Sequence, residues 1–387
     1  MSTLFTETEE RRDLRKAVAE LGAKYGPEYF RTAAKEGRKS TELWDEAGRL
    51  GYLGVAVPEE FGGGGGDIGD LAAVCEELAA AGAPLLMIVV SPAIVGSIIA
   101  MFGTDVQKKR WLPGIADGSA TYAFSITEPD AGSNSHRITT TARRDGEDWL
   151  LSGGKTFISG VDEASHVLVV ARTEDARTGK LKPALFMVPT DADGFTKAPI
   201  EMGITSPEKQ WTLFFDGVRL PQDALVGDED AGLMQLFAGL NPERIMAASF
   251  ATGTARLALS KAVAYAKDRE VFEKPIGTHQ AIAHPLAEIH IEIEMARLMT
   301  QKAAALLASG DFMAAGEAAN MAKYAAGEVV CKAVDQAIQT HGGNGLAVEY
   351  GLVDMLAGSR LSRIAPVSRE MVLNFVAQFS LGLPKSY

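Results

Sequence analysis

Two short segments carry residue types suited to chemistry: Thr127-Glu128-Pro129-Asp130-Ala131-Gly132-Ser133-Asn134 and Lys155-Thr156-Phe157-Ile158-Ser159. In the first, Pro129, Asp130 and Gly132 favour tightly bent backbone. Its N–H groups, with the hydroxyls of Thr127 and Ser133, can face an anion or the heteroatoms of a ring. In the second, a strand places Phe157 and Ser159 two positions apart and so on one side, where an aromatic face and a hydroxyl can approach one ligand. Together they suit a flat, polar, aromatic cofactor. Taken singly, each is equally an ordinary β-turn or a half-buried strand.

These segments sit in the middle of a three-part pattern. From Thr6 to about Gly118 the texture is helical, with Leu14, Val18 and Leu21 recurring at three- to four-residue spacing. Gly62 to Gly66 reads as a flexible connector, since it lacks the Lys-Ser/Thr ending of a phosphate-binding loop. Between about Thr121 and Gly227, short apolar runs alternate with turns, among them His166 to Val170, Ala184 to Val188 and Trp211 to Phe215, as in a small β-domain. From Gly232 onward long Ala- and Leu-rich helical segments return, punctuated near Gly277, Gly310 and Gly342-Gly343. The expected domains are residues 1–120, 121–230 and 231–387.

Composition bounds the function. The 387 residues are 47% apolar and 23% charged, as in a soluble globular protein with sizeable cores. A net charge of −12 without any basic block argues against nucleic-acid or anionic-membrane partners. Cys75 and Cys331 are the only cysteines, too few for a disulfide scaffold or a zinc site, so both are expected to pack in helices of a protein kept reduced. The acidic N-terminus has no apolar leader core, which makes a cytoplasmic location the expectation. Leu85 to Phe102 is long and apolar, but Ser91-Pro92 interrupts it and no basic flank adjoins it, so it reads as a buried helix pair rather than a membrane span.

In order and spacing along nearly the whole chain, the sequence resembles the acyl-CoA dehydrogenases. The matching stretches are Glu59-Glu60-Phe61-Gly62-Gly63, Phe102-Gly103-Thr104 before Trp111-Leu112-Pro113, the Thr-Glu-Pro turn, Val218-Arg219-Leu220-Pro221, Arg269-Glu270-Val271-Phe272, His279-Gln280-Ala281-Ile282, and Gln339-Thr340-His341-Gly342-Gly343-Asn344-Gly345. The resemblance implies a multidomain fold: an all-α N-terminal domain, a β-barrel-like middle domain and a C-terminal four-helix bundle. It implies FAD, with Thr127 and Ser133 on the isoalloxazine and pyrophosphate. Phe157 and Ser159 stand where the family usually has Trp and Thr, keeping an aromatic face and a hydroxyl near flavin N5. A neighbouring subunit is implied to contribute Arg269, Phe272 and Gln280, while Gln339, Gly342 and Gly343 line the adenosine-pyrophosphate path. A homo-oligomer, dimer or tetramer, follows. Electrons would pass to an electron-transfer flavoprotein.

The resemblance also exposes a departure. Desaturating an acyl-CoA thioester needs a base for the α-proton, and most of the family supplies a Glu near the C-terminus, where this chain has Pro366. Isovaleryl- and long-chain-type members place the base on a C-terminal-domain helix instead. Glu243 in Asn241-Pro242-Glu243-Arg244-Ile245-Met246 matches that position, with Arg244 to orient or tune it. A desolvated carboxylate gains proton affinity. The same residues also suit a helix's first turn, where proline forfeits no hydrogen bond and a carboxylate offsets the dipole. Pro366 further removes a backbone N–H that in the family polarises the thioester carbonyl. Losing such a donor costs on the order of 3 kcal/mol of transition-state stabilisation. A shifted Val367 N–H, a different polarising group, or a different reaction are the alternatives. Ser368 stands near the flavin ring. A flavin oxidase or monooxygenase, or a non-catalytic flavin-binding partner subunit, are the competing functions.

Overall fold

The computed structural model of the chain describes residues 7–175, 178–229 and 232–385. Met1 to Thr6 and the expected boundary at 230/231 lie outside them. The order is helices, then strands, then helices, as the pattern predicts.

The first helices are α1 (Glu9–Glu36), α2 (Thr41–Arg49), α3 (Ile68–Ala80), α4 (Leu86–Ile88), α5 (Ser97–Phe102) and α6 (Asp105–Asp117). Helix α3 begins where Asp67 and Asp70 form a reciprocal capping box, and Thr104 with Gln107 does the same for α6. Between α4 and α5 the chain winds as a π-turn, Val89–Gly96, around Pro92. Leu86 to Phe102 is therefore one continuous, widened helical stretch rather than the expected pair. Gly62 to Gly66 is not a loose connector either. Its amides from Gly64 to Gly66 bond the carbonyls of Gly54, Val57 and Val55, and a Cβ at Gly63 would lie 2.1 Å from the Val57 carbonyl oxygen.

Seven strands follow: β1 (Tyr122–Ser125), β2 (Thr141–Asp145), β3 (Asp148–Ser159), β4 (His166–Glu174), β5 (Leu181–Pro189), β6 (Phe195–Ile200) and β7 (Gln210–Leu220). They form one sheet in the order β1-β4-β2-β3-β7-β6, with β5 also on β4, and only the β1–β4 and β2–β4 pairings are parallel. Its inner face is Trp149, Leu151, Val167, Val169, Phe186, Leu213 and Phe215.

Helix α7 (Gly232–Asp268) leads through the hairpin β8 (Glu270–Val271) and β9 (Lys274–Pro275) to α8 (Gln280–Ala308), then α9 (Phe312–His341), α10 (Met355–Leu361) and α11 (Arg369–Phe375). Alanines line the seam of α7 and α9, including Ala255, Ala258, Ala322 and Ala326, which lets the helices approach closely. Arg15 of α1 and Arg256 of α7 both bond Glu76 and Glu77 of α3, and Arg297 of α8 bonds Glu76 at 2.6 Å, so the two helical regions share one largely buried charge network. Among the described residues no helix is long and apolar enough to cross a membrane. Cys75 is buried in α3 and Cys331 half-buried in α9.

A second buried pair holds the polar turn to the sheet. Lys155 on β3 is 0% exposed and Glu128 in the turn 4%, with 2.9 Å between ammonium and carboxylate. Glu128 also accepts from the Thr139 amide at 2.6 Å, the Thr139 hydroxyl at 2.8 Å and the Thr140 amide at 2.9 Å. Lys155 donates further to the Ile126 carbonyl at 3.0 Å. Despite its burial, these donors hold the Glu128 carboxyl down at about 2. Burial pushes Lys155 down to about 8, which leaves it charged at neutral pH.

Removing one partner strands the other charge in the interior, so Lys155→Met is expected to destabilise the protein by about 3–5 kcal/mol, read by chemical denaturation. The carboxyl's share of stability should be full above its ordinary 4.5 and lost as pH falls through about 2. A Lys155→Met protein as stable as the parent would refute this role.

Candidate active site

The turn and the strand form one site. The Thr156 amide donates to the Thr127 carbonyl at 2.9 Å, next to the Glu128–Lys155 pair. The turn closes on itself through reciprocal Glu128 and Ala131 backbone bonds. Thr127 is half-buried and Ser133 exposed, and among the described residues neither hydroxyl has a protein partner. The expected pleat fails locally. β3 carries one extra residue between Lys155 and Ile158 opposite Leu213 and Trp211, and Phe157 adopts φ 57°. Lys155 and Ile158 both turn inward as a result, while Phe157 turns out, 57% exposed. Ser159 remains half-buried with its hydroxyl 2.9 Å from the Gln210 amide nitrogen. Free hydroxyls, an open ring and a held-out turn fit a planar polar cofactor such as FAD.

The second group of expected contacts lies at the hairpin and the end of α9. Arg269, Phe272, Gln280, Gln339, Gly342 and Gly343 are all exposed, Phe272 at 87%. The hairpin turns at Phe272 and Glu273, with φ of 53° and 63°. Gly342 has φ 58°, and a Cβ at Gly342 or Gly343 would meet nothing within 4 Å, so backbone is open to a ligand there. The Tyr265 ring stacks on His341 with centroids 4.2 Å apart, and the Arg269 amide bonds the Tyr265 carbonyl, so hairpin and glycine turn are held together. No hydrogen bond or ion pair among the described residues joins this group to the turn-and-strand group.

Glu243 and Arg244 lie in the interior of α7, not at its start. The helix begins at Gly232, so Pro242 is an internal proline that withholds one helical hydrogen bond. Glu243 has no hydrogen bond or ion pair among the described residues. Burial pushes its carboxyl up to about 7, opposed by the nearby charges of Arg244 and Lys323. Arg244 does not bond it. One Arg244 Nη donates to the Leu240 carbonyl and to Asn241 Oδ1, both at 3.2 Å, while its buried Nε has no partner. A carboxylate without a partner among the described residues, next to an unpartnered donor, suits a polar ligand.

Pro366 follows a cis peptide bond from Ala365 and is exposed. Next to it the Val367 amide has no partner among the described residues, and the Val367 carbonyl accepts from the buried Lys323 ammonium. The Ser368 hydroxyl caps α11 by accepting from the Met371 amide at 3.3 Å. Three residues without a role in the motif reading thus enter the site: Glu128, Lys155 and Lys323. The first two were visible as charges inside conspicuous motifs. For Lys323 the signal is a lone lysine among Ala319, Ala322 and Ala326.

Comparison with known proteins gives consistent findings. Residues 8–119, 123–218 and 230–381 match the family models described as the N-terminal, middle and C-terminal domains of acyl-CoA dehydrogenase. The chain is 65% identical over 385 residues to the acyl-CoA dehydrogenase FadE12 of Mycobacterium tuberculosis, covering 100% of this chain and 99% of that one. It is 33% identical to the mitochondrial long-chain specific acyl-CoA dehydrogenase of Sus scrofa, covering 89% and 80%. Its backbone superposes on a glutaryl-coenzyme A dehydrogenase solved with glutaryl-CoA with a TM-score of 0.92 at 29% identity, covering 100% and 98%. With its three regions and their order matched throughout, the chain belongs to the acyl-CoA dehydrogenase family, FAD-dependent oxidoreductases that act on a CH–CH bond.

Proposed function

We propose that this chain desaturates an acyl-CoA thioester between its α- and β-carbons with Glu243 as the base. The observation that carries the reading is the setting of Glu243, a half-buried carboxylate with no hydrogen bond or ion pair among the described residues, next in sequence to the unpartnered Arg244 Nε; burial pushes the carboxyl up to about 7. A carboxylate in that condition accepts a proton from a weak carbon acid more readily than a solvated one. The α-proton goes to Glu243, hydride leaves the β-carbon, and the electron pair of the α C–H bond becomes the new C=C bond. FAD, when bound, supplies the two-electron acceptor for the hydride.

The chain's own residues do the rest. Thr127, Ser133, Phe157 and Ser159 hold the flavin ring end, and the Glu128–Lys155 pair keeps them in register. On the turn where most of the family carries its base, Pro366 offers neither a carboxylate nor an N–H. The unpartnered Val367 amide is the backbone donor available to the thioester carbonyl. Arg244, whose charge opposes the burial-driven rise of the Glu243 carboxyl, tunes the proton acceptor without bonding it. Ser368, committed to capping α11, positions the turn.

Arg269, Phe272 and Gln280, with Gln339, Gly342 and Gly343, complete the cofactor site of a second copy. Support comes from the exposed Phe272 ring and from the outward face of α8, where Ile291, Met295 and Leu298 are 50–62% exposed. A homodimer or tetramer, a cytoplasmic location and electron-transfer flavoprotein as acceptor belong to the same reading, as do the domain limits 1–120, 121–230 and 231–387.

Glu243→Gln should slow anaerobic flavin bleaching by acyl-CoA thioesters by about 10²–10⁴-fold while the protein stays yellow; bleaching at the parental rate would sink the assignment. Because the base works only when ionised, the parental bleaching rate should rise with pH through about 7. A rate flat from pH 5 to 9 would contradict it. Arg269→Ala removes a charged donor and should weaken FAD binding about 10- to 100-fold, measured as flavin retained on gel filtration; unchanged retention would detach Arg269 from the cofactor.

A further inference from the structure

Lys323 lies on α9, 2% exposed, within the run of buried alanines that packs against α7. A buried ammonium is normally bonded to a carboxylate. This one forms no ion pair among the described residues, and its single hydrogen bond goes to the Val367 carbonyl. The charges that face it come from three helices: Glu243 and Arg244 on α7, Glu328 on α9 and Glu370 on α11. Two of the three carboxylates are occupied. Glu328 accepts from Arg363 at 2.8 Å and is ion-paired with Arg369 at 3.5 Å, and Glu370 is ion-paired with Arg369 at 3.4 Å. Glu243 alone has no bonded cation, and Arg244, its neighbour in sequence, directs its Nη to Leu240 and Asn241.

We propose that Lys323 is a positioning residue for proton transfer: tied to the Val367 carbonyl, its ammonium acts with Arg244 to favour the ionised form of the half-buried Glu243 and holds the 365–368 turn in place. The inference rests on Glu243 being the base. Its physical logic is that drying the site drives a carboxylate toward its neutral form, which cannot accept a proton. Cations that do not bond the carboxylate, first Arg244 and then Lys323, oppose that drift without occupying the lone pairs the α-proton needs. Lys323 feels the same burial, which pushes it down to about 8, so it remains charged where Glu243 must work. The tether has a second effect, because the residue whose carbonyl Lys323 holds is also the one whose amide is free.

The test is a pH titration of the FAD-loaded holoenzyme by infrared difference spectroscopy, with the Glu243 carboxylic acid band identified as the one missing from Glu243→Gln. Lys323→Met should raise the midpoint of that band by about one pH unit or more. Lys323→Gln, which keeps a donor for Val367 but no charge, should raise it as far, and Lys323→Arg should restore it. With butyryl-, isovaleryl- and palmitoyl-CoA as probes, the acidic limb of the bleaching rate should move with the midpoint. A merely structural lysine would lower the rate at every pH and leave the midpoint where it was. An unmoved midpoint in both Lys323→Met and Lys323→Gln overturns the proposal; should the Met variant fail to fold, the Gln variant decides. Parental bleaching by Glu243→Gln would refute the base assignment separately, since the carboxyl titration is read without substrate.

Discussion

The cofactor-facing half of the site depends on one buried ion pair. Glu128 belongs to the turn that follows β1, and Lys155 to β3; beside their ion pair, the bond from the Thr156 amide to the Thr127 carbonyl joins the same two segments. A charge taken from water must be met by partners, and here the amides and hydroxyl of Thr139 and Thr140 meet the carboxylate while the Ile126 carbonyl shares the ammonium. The pair therefore acts as a locator more than as a source of net stability, because only one geometry satisfies all of its members. Phe157 owes its outward turn to this arrangement. Once Lys155 is drawn inside and the Thr156 amide bonds Thr127, the strand has one residue too many, and that residue bulges out.

The half proposed to be catalytic uses the opposite device. Glu243 is half-buried without a bonded partner among the described residues, so its partial burial appears as proton affinity instead of fixed geometry. The two carboxylates divide the roles of locator and proposed base by environment alone: four donors hold one at about 2, and desolvation lifts the other to about 7. Nothing in the residue type separates them. The hydrogen-bond inventory does.

Much of this was legible in the sequence where local rules suffice. The helix–strand–helix order follows periodicity, and the turn with its strand announces itself through proline, glycine and hydroxyl chemistry. What was misread needed long-range partners. Pro242 looked like a helix start, because proline suits a first turn, yet packing of α7 against α9 carries the helix straight through it. Five glycines in a row looked loose, but residues Gly54 to Val57 supply the carbonyls that order them. A regular pleat puts Phe157 and Ser159 on one face, and a bulge dictated from the neighbouring turn breaks the regularity. Lys323 had no signature at all beyond standing among alanines. Its meaning depends on α7, α11 and the 365–368 turn converging on one spot.

The hairpin after α7 carries one more consequence. Two successive residues with side chains, Phe272 and Glu273, hold positive φ where glycine or asparagine would sit without penalty, and the aromatic ring stands in water. Such a conformation costs of order 1–3 kcal/mol per residue and persists where something else over-determines it. On the proposed reading that something is a second copy with its cofactor, and the strain becomes a coupling between assembly and loading. By mass action, dilution would then release both together, so the flavin content of a preparation would track its protein concentration. The turn sequence would thus set how scarce this protein can become before it ceases to be a flavoprotein.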